Sequence, residues 1–82
     1  MRLNIPLACV LLASCGGGGG GETYTLYRNS VGDANARYHV ASFDAADGAK
    51  YNNENCNKAA ELFVRQPGVE TRFWCEQGPF RK

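Results

Sequence analysis

Residues 45–68 read AADGAKYNNENCNKAAELFVRQPG. Cys56, Ala59, Ala60, Phe63 and Val64 recur at the three-four spacing of one buried helix face. Asn52 can offer an N-cap oxygen. Tyr51 and Cys56 then stand at the two positions of a hydrophobic staple. Glu54 falls in the first turn and Arg65 in the last, both with the sign the helix dipole favours. Glu54–Lys58 and Glu61–Arg65 are spaced four apart in the stabilising order. Pro67 and Gly68 stop the helix. The stretch predicts one amphipathic helix from Asn52, with a single face that needs a second layer to cover it.

The flanks supply strands. Residues 22–30, ETYTLYRNS, are rich in Thr and Tyr with a period of two. Residues 30–36, SVGDANA, read as a loop of about seven residues, and residues 37–44, RYHVASFD, as the second strand of a hairpin. Residues 69–77, VETRFWCEQ, alternate again. Val69, Thr71, Phe73 and Cys75 share one face; Glu70, Arg72, Trp74 and Glu76 share the other. The order strand, strand, helix, strand predicts a small α+β domain of two layers. Its three-stranded, mainly antiparallel sheet carries one helix on one face, with the first strand central and the third beside it.

The chain has 82 residues, enough for one domain. Of its nine Lys and Arg, only Arg2 precedes residue 22, and the eight Asp and Glu all follow residue 21. The later part is therefore neutral, which argues against a nucleic-acid partner, since such partners select a basic stripe. It equally lacks a polybasic attraction to anionic lipid.

The first residues are of another kind. Residues 1–15, MRLNIPLACVLLASC, have a cation at Arg2, an apolar stretch over residues 3–12 and the small residues Ala13 and Ser14 before Cys15. The stretch is shorter than the ~20 residues a permanent span requires. Leu12, Ala13, Ser14 and Cys15 resemble the lipobox of bacterial lipoproteins. Pro6 in the equivalent place makes Cys9 a poor competitor. The resemblance implies that a diacylglycerol is attached to the Cys15 sulfur, that residues 1–14 are discarded, and that the new amino group is acylated. Two or three chains make such an anchor effectively permanent, because each buried methylene contributes ~0.8 kcal/mol. In that family an aspartate after the cysteine retains the protein in the inner membrane. Gly16 stands here, which implies an outer-membrane protein facing the periplasm. Residues 15–21 then form the lipidated end and a glycine tether, typically about 13 Å long and at most about 20 Å. Residues 22–82 form the folded head, which stays close to the membrane.

Export places the remaining cysteines where disulfides persist. Cys56 lies on the inward helix face and Cys75 on the strand face assigned to the core, so the two are expected to pair. Their loop of about 20 residues corresponds to ~3 kcal/mol on the chain-entropy estimate, a large share for so small a domain. No C-x-x-C motif is present, and His39 is the single histidine, so neither a redox site nor a metal site is expected.

Trp74 is the sharpest candidate for contact with a partner. The alternation puts it with Arg72 on the face away from the helix, and Tyr27 or Tyr38 can join it there. The competing interpretation has Trp74 packed against cross-strand neighbours, merely finishing a half-buried face. His39 has no evident acid-base partner. Asp44 and Asp47 suit a turn better than a calcium loop. Asn52, Asn53, Asn55 and Asn57 suit a cap and a solvated first turn. The sequence points to no cofactor. It suggests a non-catalytic, lipid-anchored envelope protein whose head binds an envelope component through the Trp74 face or a strand edge. A small periplasmic enzyme and a passive structural lipoprotein are the alternatives.

Overall fold

The computed structural model describes residues 21–82. The signal segment 1–14, the lipidation of Cys15 and most of the glycine tether lie outside the described residues. Three strands and one helix follow in chain order: β1 (Tyr24–Ser30), β2 (Asp33–Phe43), α1 (Ala49–Val64) and β3 (Phe73–Gln77). The sheet is fully antiparallel, with β1 in the centre and β2 and β3 at its edges. The helix packs on one face, giving the expected α+β fold. No helix among the described residues is long and apolar enough to cross a membrane.

The layers meet where the patterns place them. Cys56 of α1 and Cys75 of β3 form a disulfide with Cα atoms 6.2 Å apart. Phe63 stacks on Phe73, ring centroids 5.3 Å apart. Leu26 lies opposite both Cys75 and Ala41 and is fully buried between the layers. The closed core is small: Leu26, Tyr27 and Cys56 are its buried apolar residues, joined by the polar Thr25, Asn29 and Asn52.

Several expectations need correction. The hairpin loop is two residues long, since Ser30 pairs directly with Asp33. Gly32 N donates to Ser30 Oγ at 3.1 Å across this turn, while the Asp33 side chain acts inside β2, where Asn35 N donates to its Oδ1 at 2.9 Å. The irregularity they signal is absorbed by register shifts in β2, so the strand begins earlier than its clean alternation does.

The helix starts at Ala49 with Gly48 as its N-cap. Gly48 has φ +108°, a conformation a side chain resists, so the reversal into the helix falls there. Asn52 therefore sits one turn inside the helix, and Tyr51 is exposed rather than part of a staple. Glu54 lies beyond the first turn and pairs with Lys50 at 2.7 Å, and Arg65 is the C-cap residue.

Asn52 clips the chain together. It is 1 % exposed, its Oδ1 accepts from Ala45 N at 2.9 Å, and its Nδ2 donates to Glu22 O at 2.7 Å and Ala45 O at 3.0 Å. One side chain thus joins α1, the loop before it and the approach to β1.

The last correction concerns the helix end. The third strand is only five residues long and begins at Phe73. A 16-residue helix is about 24 Å long and five strand residues span about 17 Å. Little sheet underlies the final helical turn, so Phe63 and Val64, expected in the core, are exposed, as is Leu62 at 63 %.

Candidate functional site

The face of the sheet away from α1 holds three of the four predicted contact residues, Tyr27, Arg72 and Trp74. Tyr27 projects from the central strand, with Trp74 directly opposite on β3 and His39 opposite on β2. Arg72 joins them as expected, its Cζ 5.1 Å from the Trp74 ring centroid and its Nη2 donating to Ala34 O at 3.1 Å. Tyr38 does not join. It pairs with Arg28, which lies opposite Phe73, so it belongs to the face that carries α1, half-exposed under the Arg28 guanidinium at 4.9 Å.

The chain's own C-terminal segment covers this face. Gly78, at φ +106°, turns the backbone out of β3. Gly78 N donates to Thr23 O at 2.7 Å, and Thr25 Oγ1 donates to Gly78 O at 2.8 Å. Phe80 then packs against Tyr27 and His39, with ring centroids 5.8 Å and 4.9 Å away. Arg81 N donates to the Tyr27 hydroxyl at 3.0 Å, and Arg37 Nη2 donates to Arg81 O at 3.2 Å.

Beneath this cover the groups satisfy one another. Tyr27 stacks with Trp74 at 5.8 Å and carries the Arg37 guanidinium at 4.3 Å. Arg37 donates to both Glu76 carboxylate oxygens, at 2.5 and 3.0 Å, and Trp74 Nε1 donates to Glu76 Oε2 at 2.8 Å. The Arg37 hydrogen bonds, then the Trp74 bond, hold the Glu76 carboxyl well below its ordinary 4.5, at about 2. Tyr27 is 1 % exposed and forms the floor of the cluster rather than a contact surface. Trp74 packs with its cross-strand neighbour and is half-buried.

Sequence reasoning missed Arg37, Phe80 and Asn29. Asn29 is buried on β1 and joins both edges: its Oδ1 accepts from Arg72 N at 2.8 Å and its Nδ2 donates to Ala34 O at 3.3 Å. Its partners are distant in the chain, so no local pattern announces them. Phe80 follows Gly78-Pro79, where an aromatic residue beyond a strand terminator was the available signal.

His39 Nε2 and Ser42 Oγ are 2.8 Å apart. The register shift after Leu26 brings both to the same face. The His39 ring stacks on Phe80, and both partners are exposed. Among the described residues, no carboxylate hydrogen-bonds to the imidazole to orient it as a triad would. No group of three His, Cys, Asp or Glu able to hold a metal ion occurs among the described residues.

A second surface lies between α1 and β3. A groove of about 660 Å³, open to solvent, has an apolar wall of Ala60, Val64 and Phe73 and charges at Glu54, Lys58 and Glu61. Chain connections place the two ends of the domain. Gly21 O accepts from Gln77 Nε2 at 2.7 Å, so residue 21 lies near the end of β3, while Val64 lies at the other end of α1. No protein-family model, curated protein or solved structure matches this chain.

Proposed function

We propose that this chain is a lipid-anchored protein of the bacterial envelope, held in the outer membrane through Cys15, whose head is a non-catalytic binding module. The observation that carries the binding role is the groove between α1 and β3. Its apolar wall is Ala60, Val64 and Phe73, with Val64 exposed and Ala60 and Phe73 half-buried, on a domain that fully buries few apolar side chains. The Cys56–Cys75 disulfide supports the compartment, because such bonds persist outside the reducing cytosol. Val64, on the groove wall, lies at the end of α1 far from Gly21, a position suited to a partner that approaches an anchored head.

The test is photocrosslinking in intact cells from a reactive residue at position 64, with membrane fractionation of wild type and Cys15→Ala. The reading expects a discrete crosslinked species in the wild type and release of the variant from the membrane. A wild-type chain already soluble refutes the anchor, and absence of any crosslink refutes the binding role. The 2.8 Å His39–Ser42 contact favours a small hydrolase as the second reading. Covalent labelling of Ser42 by a fluorophosphonate, lost in His39→Ala, would favour it over the first.

A further inference from the structure

We propose that Tyr27 and His39 form the socket of a peptide-binding site for a partner segment that presents one aromatic side chain, and that residues 79–82 of this chain fill it as an intramolecular stand-in. The socket is on the sheet face opposite the groove between α1 and β3, so it is a separate site and does not depend on that groove.

The floor is built without this strap. Tyr27 lies on the central strand and stacks on Trp74, ring centroids 5.8 Å apart. The Arg37 guanidinium stands 4.3 Å from the Tyr27 centroid and is held there by both Glu76 carboxylate oxygens. His39 Nε2 is 2.8 Å from Ser42 Oγ. Each of these contacts joins strand residues, and none draws on residues 79–82. Groups already held in place bind a ligand without the cost of ordering them.

The strap shows what the socket reads. Phe80 stacks on His39 at 4.9 Å with the rings 18° apart, and tilts over Tyr27 at 5.8 Å and 37°. Ring-on-ring packing of this kind favours an aromatic side chain over an aliphatic one. The next residue is read through its main chain: the Tyr27 hydroxyl accepts from Arg81 N at 3.0 Å, and Arg37 Nη2 donates to Arg81 O at 3.2 Å. Arg81 itself is exposed. The Arg37 charge is matched by Glu76, so the socket does not select a charge at that position.

The hold on the strap is slight. Gly78 is fixed by Thr23 and Thr25. Beyond it, the described contacts are the Phe80 ring and the two main-chain bonds of Arg81, and residues 79–82 are all exposed. Lightly packed, exposed segments open at low free energy. The strap's advantage is proximity: two residues from fixed Gly78, Phe80 competes at an effective concentration in the mM range. A partner segment that also reaches the half-buried Trp74 ring gains a further aromatic contact with which to displace it.

The experiment uses the full chain, as wild type and as Phe80→Ala, and the capped pentapeptide Gly-Pro-Phe-Arg-Lys, which is the strap's own sequence. NMR titration is the readout. The peptide should bind Phe80→Ala with a Kd of about 1 mM, shift the ring signals of Tyr27 and His39, and leave Phe63 and Phe73 unmoved. Wild type should bind it about tenfold more weakly, because Phe80 competes. Ala in place of the peptide's Phe should cost about tenfold, while Glu in place of its Arg should change binding by no more than about twofold. No binding to Phe80→Ala, equal binding by both proteins, or equal binding of the Phe and Ala peptides would each overturn the proposal. So would an unfolded Phe80→Ala, which would make the strap part of the fold rather than an occupant. A Phe80–His39 contact between copies, in a wild-type sample mixed from two isotope labels, would overturn it in favour of strap exchange. None of these results bears on crosslinking from position 64, so the groove stands or falls separately.

Discussion

At the scale of single residues, polar side chains organise this domain as much as apolar ones do. Asn52 satisfies three backbone groups with one buried amide. Replacing it with alanine leaves them without partners, at a cost of about 2 kcal/mol. In a domain of this size that lowers the melting temperature by about 10 °C, measurable by circular dichroism. Glu76 makes a pH prediction. Its carboxyl titrates near 4.5 when unfolded and at about 2 when folded. The stability it contributes is complete above pH 4.5 and is lost as the pH falls toward 2. Urea titrations across this window should show a decline that Glu76→Gln flattens; an equal decline in both proteins would remove the Arg37–Glu76 pair from the account. The sequence placed Glu76 on a face with Trp74, but took Asn52 for the N-cap, which is Gly48. It could not show their partners, because Glu22 lies 30 residues from Asn52 and Arg37 lies 39 from Glu76.

At the scale of elements, periodicity was legible and length was not. The alternation of Phe73, Trp74, Cys75 and Glu76 sorted the two faces correctly, and the three-four spacing of Cys56 and Phe63 found the helix side that meets β3. The hairpin was misjudged because Asp33 and Asn35 carry turn chemistry within a bulged strand. The helix start was misjudged because an asparagine resembles a cap more than a glycine does, although Gly48 has the backbone that the reversal needs. The covering segment after Gly78 was missed because its contacts are all long-range. It has a measurable consequence. Phe80→Ala removes the ring that packs on Tyr27 and His39 and should cost about 1.5 kcal/mol in chemical denaturation. Tyr27 should become more accessible to solvent in the same variant. If stability and Tyr27 accessibility both stay unchanged, the segment does not cover the sheet in solution.

At the scale of the whole molecule, a thin core and a staple belong together, and the proposed anchor would put both where disulfides persist. Few apolar residues are fully buried, so the disulfide between the layers carries a large part of the stability. The double variant Cys56→Ala, Cys75→Ala should lose about 3 kcal/mol, read from urea midpoints, out of the 5–15 kcal/mol usual for folded domains. Such dependence suits a protein that matures outside the cytosol. The most direct test is the intact mass of the chain purified from bacterial membranes, taken after alkylation without reduction. The account predicts a chain that begins at Cys15, carries acyl groups there, and takes no alkyl label at Cys56 or Cys75. A full-length chain with no lipid and with both thiols alkylated would contradict it.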